Sequence, residues 1–263
     1  MRPLADLRDA AGIRGVFCDI DDTLTTDGRL TARAYAALES LKAAGRLVVP
    51  ITGRPAGWCD HIARMWPVDA VVGENGAFYF QYDDKSRKMR KRFRDDEAVR
   101  MANRARLAAI RGLILKEVSG CGIASDQLYR EADIAIDFCE DVPRLPDAAI
   151  DRIVAIMRDS GMSARVSSIH VNGWFGDYDK LGMTRTLMRE RFGVDLDAEK
   201  AHYVFVGDSP NDAPMFGYFP RSVGVANVAD FSARLESPPA YITGARSGDG
   251  FVELVAHLLK VSG

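Results

Sequence analysis

Two aspartates one residue apart, Asp19 and Asp21, stand where the apolar run Gly15-Val16-Phe17-Cys18 gives way to Asp19-Ile20-Asp21-Asp22-Thr23. An unbroken apolar run of this length reads as a strand covered on both faces in a parallel sheet. Asp19 then falls at the strand's carboxyl end, where open α/β sheets place their ligands, and Asp21 can aim into the same crevice. Carboxylates this close repel unless a cation or a shared proton relieves them, which points to a divalent metal. Further polar groups follow later strands or open later helices: Thr52-Gly53, Lys180, and Asp208 with Asn211 and Asp212. Each has an ordinary reading on its own. Thr52 suits a strand-end cap, Lys180 a solvated surface lysine, and the Asp208 run a capped turn. Their common position at strand ends is what makes the set informative.

The elements that must carry these residues alternate. Thr31 can cap a helix ending at Gly45, and residues 47–51 read as a second buried strand, with Pro50 counting against a central place in it. Pro55 suits the first turn of a helix, residues 70–72 a third strand, and Glu74-Asn75-Gly76 a tight turn into Ala77-Phe78-Tyr79-Phe80. At Asp83 the character changes. Residues 85–94 are strongly basic, helical spacing follows through Leu107 and Ile110, and residues 134–138 read as a strand. Pro146 opens a helix to Gly161, and residues 165–174 are one bent strand or two. From about Asp179 the first rhythm resumes, with a helix to Gly193, strands at 203–206, 222–225 and 241–243, and a closing helix. The pattern is α/β, a doubly wound and mainly parallel sheet formed by residues 1–82 and 176–263, interrupted by an inserted α+β cap over 83–175.

In order and spacing the four polar signals resemble those of the haloacid dehalogenase-like superfamily: Asp19-Ile20-Asp21-Asp22-Thr23, Thr52, Lys180, and Gly207-Asp208-Ser209-Pro210-Asn211-Asp212. The resemblance covers nearly the whole chain, and the insertion is similar to the class IIB cap of Cof-type, sucrose-phosphatase-like and mannosyl-3-phosphoglycerate phosphatase-like enzymes. It implies a Rossmann-like core and phosphoryl transfer assisted by Mg²⁺. The residue chemistry supports the same roles. Asp19 suits a nucleophile that forms an aspartyl-phosphate, and Asp21 a group that protonates the leaving alkoxide and then deprotonates water. Oxygen donors from Asp19, Asp21 (through its backbone carbonyl) and Asp208 suit Mg²⁺, with Asp212 as a further ligand or a holder of water. Thr52, the Gly53 amide, Lys180 and Asn211 can bind phosphoryl oxygens, the lysine offsetting the clustered negative charge. Asp22 stands where many relatives carry glycine, and a surface role is expected for it.

In such enzymes the resemblance implies that cap residues choose the leaving group. Arg54 is the best core candidate for a substrate contact, with Glu74 and Asn75 behind it. Alternation puts Ser168, His170 and Asn172 on one face of a cap strand. Trp174 is expected to pack. The expected substrate is a small phosphorylated metabolite, a sugar phosphate or phosphoglycerate-linked sugar, with a phosphoglycolate phosphatase or a phosphomannomutase-type phosphotransferase as alternatives. The whole is expected to be a monomer or homodimer. The 263 residues carry a net charge of −2, so no global basic field argues for nucleic acid or an anionic membrane. The basic run 85–94 reads as a solvated cap face. The start lacks an apolar signal region, and the four scattered cysteines fit free thiols in a cytoplasmic setting.

Overall fold

The strand Gly15–Cys18 is buried throughout because it has apolar neighbours on both sides. Val16 and Cys18 point into one core, with Leu38, Leu41, Ile62, Phe251 and Leu254, while Phe17 points into another, with Met183, Leu187, Met215 and Phe219. This two-residue alternation, with apolar side chains on each face, is the demand of a strand sandwiched between helix layers. The structure is a computed structural model describing residues 1–8 and 10–260. Six parallel strands form the central sheet, in the order Arg2–Pro3, Tyr241–Ile242, Ser222–Gly224, Tyr203–Gly207, Gly15–Cys18, Leu47–Pro50. The α/β, Rossmann-like reading is thereby met, and the terminal Arg2–Pro3 strand is an addition the sequence did not announce.

Pro50 sits in this sheet without penalty for a geometric reason. Leu47 and Ile51 donate to Arg14 O and Cys18 O on the inner side, whereas Val48 and Thr52 donate outward, to Asp69 and Val72. Pro50 belongs to the outward set, beyond which only an Ile51–Val72 bridge forms, so no ladder bond is lost.

The basic run is placed differently from expectation. Val71–Gly73, Phe78–Asp83 and Lys88–Phe93 form one antiparallel sheet. A boundary at 82/83 therefore cuts through a hairpin, and most of the basic run is its outer strand, on the core side and not on the cap. Met89 and Phe93 pack on the core, and Lys91 lies over the Phe80 ring while pairing with Asp60. The cap begins after this strand. Its four-stranded antiparallel sheet runs Ser163–Val166, His170–Trp174, Asp133–Asp137, Gly122–Ile123, so residues 165–174 belong to two strands. Helices Glu97–Glu117 and Asp147–Asp159 cover it through Leu107, Ile114, Ile150, Ile153 and Met157. Trp174 packs as expected, buried and stacked on Tyr178 at 5.3 Å between ring centroids. The four cysteines are unpaired, and among the described residues no helix is long and apolar enough to cross a membrane.

Candidate active site

Three strand ends bring the chemistry together. Asp19 leaves Gly15–Cys18 with its amide donating to Val206 O (2.9 Å), which ties it to the neighbouring strand Tyr203–Gly207. That strand ends at Asp208. Asp212 then folds back, its Oδ2 accepting from the amides of Asp208 (3.1 Å) and Ser209 (3.4 Å). Lys180 opens the helix Lys180–Leu187, which Asp179 caps by accepting from Gly182 N. From there the Lys180 Nζ lies 2.7 Å from both Asp19 Oδ1 and Asp212 Oδ1. Asp208 is steadied by Asn227 Nδ2 at 3.1 Å and Thr23 Oγ1 at 3.5 Å. Asn227 also donates to Asp22 O, which fixes the loop after Asp19.

The electrostatics of this cluster call for a cation. Carboxylate oxygens of Asp19, Asp208 and Asp212 all lie within 4.8 Å of one another, and all three residues are buried. One ammonium faces these acids. Burial, with Asp212 and Asp21 adding repulsion, pushes the Asp19 carboxyl up to about 8 despite Lys180, and burial with Asp19 and Asp212 also raises Asp208. Burial acts against the charge on Lys180, but Asp19 and Asp212 outweigh it and hold the ammonium firmly protonated. Hard oxygen donors with surplus negative charge in a dry site fit Mg²⁺. Asp212 has one oxygen on Lys180 and the other on backbone amides, so it is placed to orient Lys180 and the loop. The Asp21 side chain is not part of the cluster but pairs with Arg54, and the ligand expected there is its backbone carbonyl.

Beside the cluster, buried Thr52 and partly exposed Gly53 form a turn whose Thr52 Oγ1 accepts from Arg54 N (3.0 Å). A Cβ built at Gly53 would stand 3.1 Å from Asn75 Nδ2 and 3.5 Å from Asn172 Oδ1, so a side chain there would press on the Asn75 amide. Asn75 is delivered by three successive left-handed residues, Glu74 (φ 43°), Asn75 (φ 53°) and Gly76 (φ 107°). Backbone in that region costs about 1–3 kcal/mol per non-glycine residue and persists only where surroundings enforce it. Here the buried Glu74 carboxylate accepts from Ala56 N (3.0 Å), Glu131 N (2.9 Å) and Ala132 N (2.6 Å). Asn75 N donates to Thr52 O (3.0 Å). The result is a buried Asn75 Nδ2 with no hydrogen-bond partner among the described residues. An orphaned donor beside Gly53 and Asn211, whose Nδ2 is 3.4 Å from Asn75 Oδ1, is what an absent anion would leave.

The remaining expected residues divide. Arg54 is not a free substrate contact. It is buried, its Nε sits 3.0 Å from both Asp21 oxygens, and its other nitrogens reach Asp126 (3.2 Å) and Glu140 (2.6 Å) of the cap. Asn172 is likewise engaged, donating to Asp133 Oδ2 (2.9 Å) while lying against Gly53. His170 Nε2 is 2.9 Å from Glu140 Oε2. Ser168 lies beside Asp22, which is partly buried on the cap side. Sequence reasoning missed Asp126, Arg130, Glu140 and Asn227. Arg130 pairs with Asp126 and Asp133 and donates to Gly53 O (2.9 Å), which ties it to the Thr52-Gly53 turn. Glu140 did carry a signal, since it follows a cap strand as Asp21 follows a core strand.

Comparison with known proteins agrees with this geometry. The sequence profile of the haloacid dehalogenase-like hydrolases matches residues 16–109, the span from the strand Gly15–Cys18 into the helix Glu97–Glu117. A phosphoglycolate phosphatase of Archaeoglobus fulgidus is 25% identical over 93% of this chain and 96% of its own. The sucrose-phosphatase of Synechocystis sp. PCC6803, solved with sucrose and phosphate, shares the fold at 15% identity and a TM-score of 0.61, over 94% of this chain and 98% of that one. A HAD subclass IIB sugar phosphatase does so at 16% identity and 0.60, over 93% and 98%. The chain is thus similar to the haloacid dehalogenase-like hydrolases over residues 16–109 and shares its fold with solved phosphatases of that kind.

Proposed function

We propose that the protein hydrolyses small phosphomonoesters with the help of Mg²⁺, through an aspartyl-phosphate at Asp19. The observation that carries this is the convergence of Asp19, Lys180, Asp208 and Asp212 at one rim, with Lys180 Nζ 2.7 Å from two of the acids. The Asp19 oxygen turned from Lys180 attacks phosphorus, and the bond to the leaving oxygen breaks. Asp21, its carboxyl group held by the Arg54 guanidinium, would enter the step protonated, give that proton to the leaving oxygen, and as the resulting carboxylate take one from the water that attacks the acyl-phosphate, releasing phosphate and restoring Asp19. Lys180, the Gly53 amide, Asn75 Nδ2 and Thr52 surround the transferring group, and such preorganised donors are the main source of rate in phosphoryl transfer. Asp19 and Asp208 would hold Mg²⁺, which when bound neutralises charge on the phosphoryl oxygens. Unpaired cysteines are consistent with a reducing, cytoplasmic setting. The test is phosphate release from a panel of sugar phosphates, phosphoglycolate and an aryl phosphate, with and without Mg²⁺. Turnover by wild type and loss of it in Asp19→Asn are expected; equal rates in the two would refute the nucleophile. A mutase of the phosphomannomutase type predicts instead that turnover requires a sugar bisphosphate.

A further inference from the structure

Next to the general acid lies a carboxylate that the phosphatase chemistry does not use. Glu140 bridges the two cationic or donor groups of the leaving-group side. Its Oε1 accepts from Arg54 Nη2 at 2.6 Å, and its Oε2 lies 2.9 Å from His170 Nε2 and 3.4 Å from Arg54 Nη1. The same Arg54 Nη2 is 2.9 Å from Asp21 Oδ1, so Glu140 stands one guanidinium away from the group that protonates the leaving oxygen. Arg54 and His170 are 4% and 3% exposed at the side chain, Glu140 25%. The acid is thus the member of the trio that an arriving molecule meets, and it lies over the Arg54 guanidinium and the His170 ring.

Its placement is built. The Asp137 carboxylate accepts from the amides of Cys139 (2.9 Å), Glu140 (2.8 Å) and Asp141 (2.8 Å), locking the loop that presents Glu140. Arg54 also carries Asp126 at 3.2 Å, so three carboxylates already spend its single charge. Burial disfavours the ionised form of Glu140, but hydrogen bonds from His170 and Arg54 outweigh it and hold the carboxyl at about 2. It is an anion at any working pH.

We propose that Glu140 is a specificity-determining residue which makes this site accept an uncharged, hydroxyl-bearing leaving group and reject one that carries a carboxylate. A hydroxyl can donate to the free lone pairs of Glu140, whereas a second carboxylate at that distance meets like charge in a partly desolvated cleft and finds the Arg54 charge already shared among three carboxylates. The proposal rests on the phosphatase reading and narrows it, and it sets the chain apart from relatives named phosphoglycolate phosphatases.

The test uses a pair of esters that differ chiefly in charge, 2-phosphoglycolate and 2-hydroxyethyl phosphate, with an aryl phosphate alongside. Wild type is expected to favour the hydroxyethyl ester in kcat/KM by on the order of 10²-fold, as like charge in such a site dictates. In E140Q, which keeps shape and acceptor but drops the charge, that preference is expected to collapse or invert, mainly through KM for phosphoglycolate. Wild type preferring phosphoglycolate overturns the proposal whatever becomes of the variant. So does an unchanged ratio in E140Q, or an equal loss on both esters, which a merely structural Glu140 would produce. If wild type turns over the aryl phosphate, any of these failures leaves the phosphatase reading standing. If it turns over none of the three, that reading falls and takes the proposal with it.

Discussion

Replacing Lys180 by methionine removes the one ammonium that touches both Asp19 and Asp212, each at 2.7 Å, in a place where the lysine side chain is 1% exposed. Breaking a buried ion pair by deleting one partner costs about 3–5 kcal/mol, because the other charge is left desolvated. For a chain of this size each kcal/mol moves Tm by about 2–4 °C, so a fall of roughly 6–20 °C is expected in metal-free protein. Asp19 can soften the loss by taking up a proton, and the sign of the pH dependence follows. Its folded pKa is already raised from 3.8 to about 8, chiefly by burial. Between those values the folded state holds a proton that the unfolded state has released, so stability falls as pH rises, and levels off above about 8. Without Lys180 the folded pKa climbs further, and the decline continues into more alkaline solution. Thermal unfolding of both proteins in chelator across neutral to alkaline pH reads this directly. Activity with Mg²⁺ should drop by on the order of 10²–10³-fold or more, as loss of a charged donor at a transition state dictates. A variant with wild-type Tm at alkaline pH and wild-type turnover would refute both the ion-pair argument and the lysine's role at phosphate.

Asp21→Asn should lower turnover of alkyl phosphates by on the order of 10²–10⁴-fold while sparing an aryl phosphate's first step, whose leaving group needs no proton; burst kinetics on the aryl ester separate the two, and equal losses on both would contradict the general-acid assignment. Glu74→Gln weakens the acceptor of three backbone amides and should cost about 1–3 kcal/mol in denaturant unfolding, with KM rising as the strained turn relaxes; an unchanged midpoint would show that the turn holds itself. Mg²⁺ added to chelator-treated protein should stabilise it by about 2.7 kcal/mol at a hundred times its Kd, and Asp208→Asn should abolish the shift in thermal unfolding.

The parts of this site that could be read in the sequence are those fixed by strand ends. Asp19, Thr52 and Asp208 each end a buried run, and the sheet itself carries such residues to one rim. Lys180 was legible through its order between Thr52 and Asp208, with Asp179 as a helix cap. Side chains whose partners come from the cap were not legible. Arg54 looked like a substrate contact because it follows the phosphate turn, yet Asp21, Asp126 and Glu140 claim it, and nothing local announces a partner 86 residues away. The basic strand Lys88–Phe93 misled for a related reason. Lys91 shares the face of Met89 and Phe93 with its ammonium over Phe80, and a charged residue there hides the alternation that would have marked a strand on the core. Asn75 was visible only as a turn residue; its buried, unpartnered amide is a property of the fold.

The account depends above all on a covalent bond between Asp19 and phosphorus. Wild type and Asp21→Asn, mixed with an aryl phosphate and Mg²⁺ and quenched in acid within the first turnover, can be digested and sequenced by mass spectrometry. A phosphoryl group on the peptide containing Asp19, accumulating in Asp21→Asn because its hydrolysis lacks a base, is the predicted result. Aryl phosphate turnover with no phosphorylated peptide in either protein, or with the group on another residue, would contradict it.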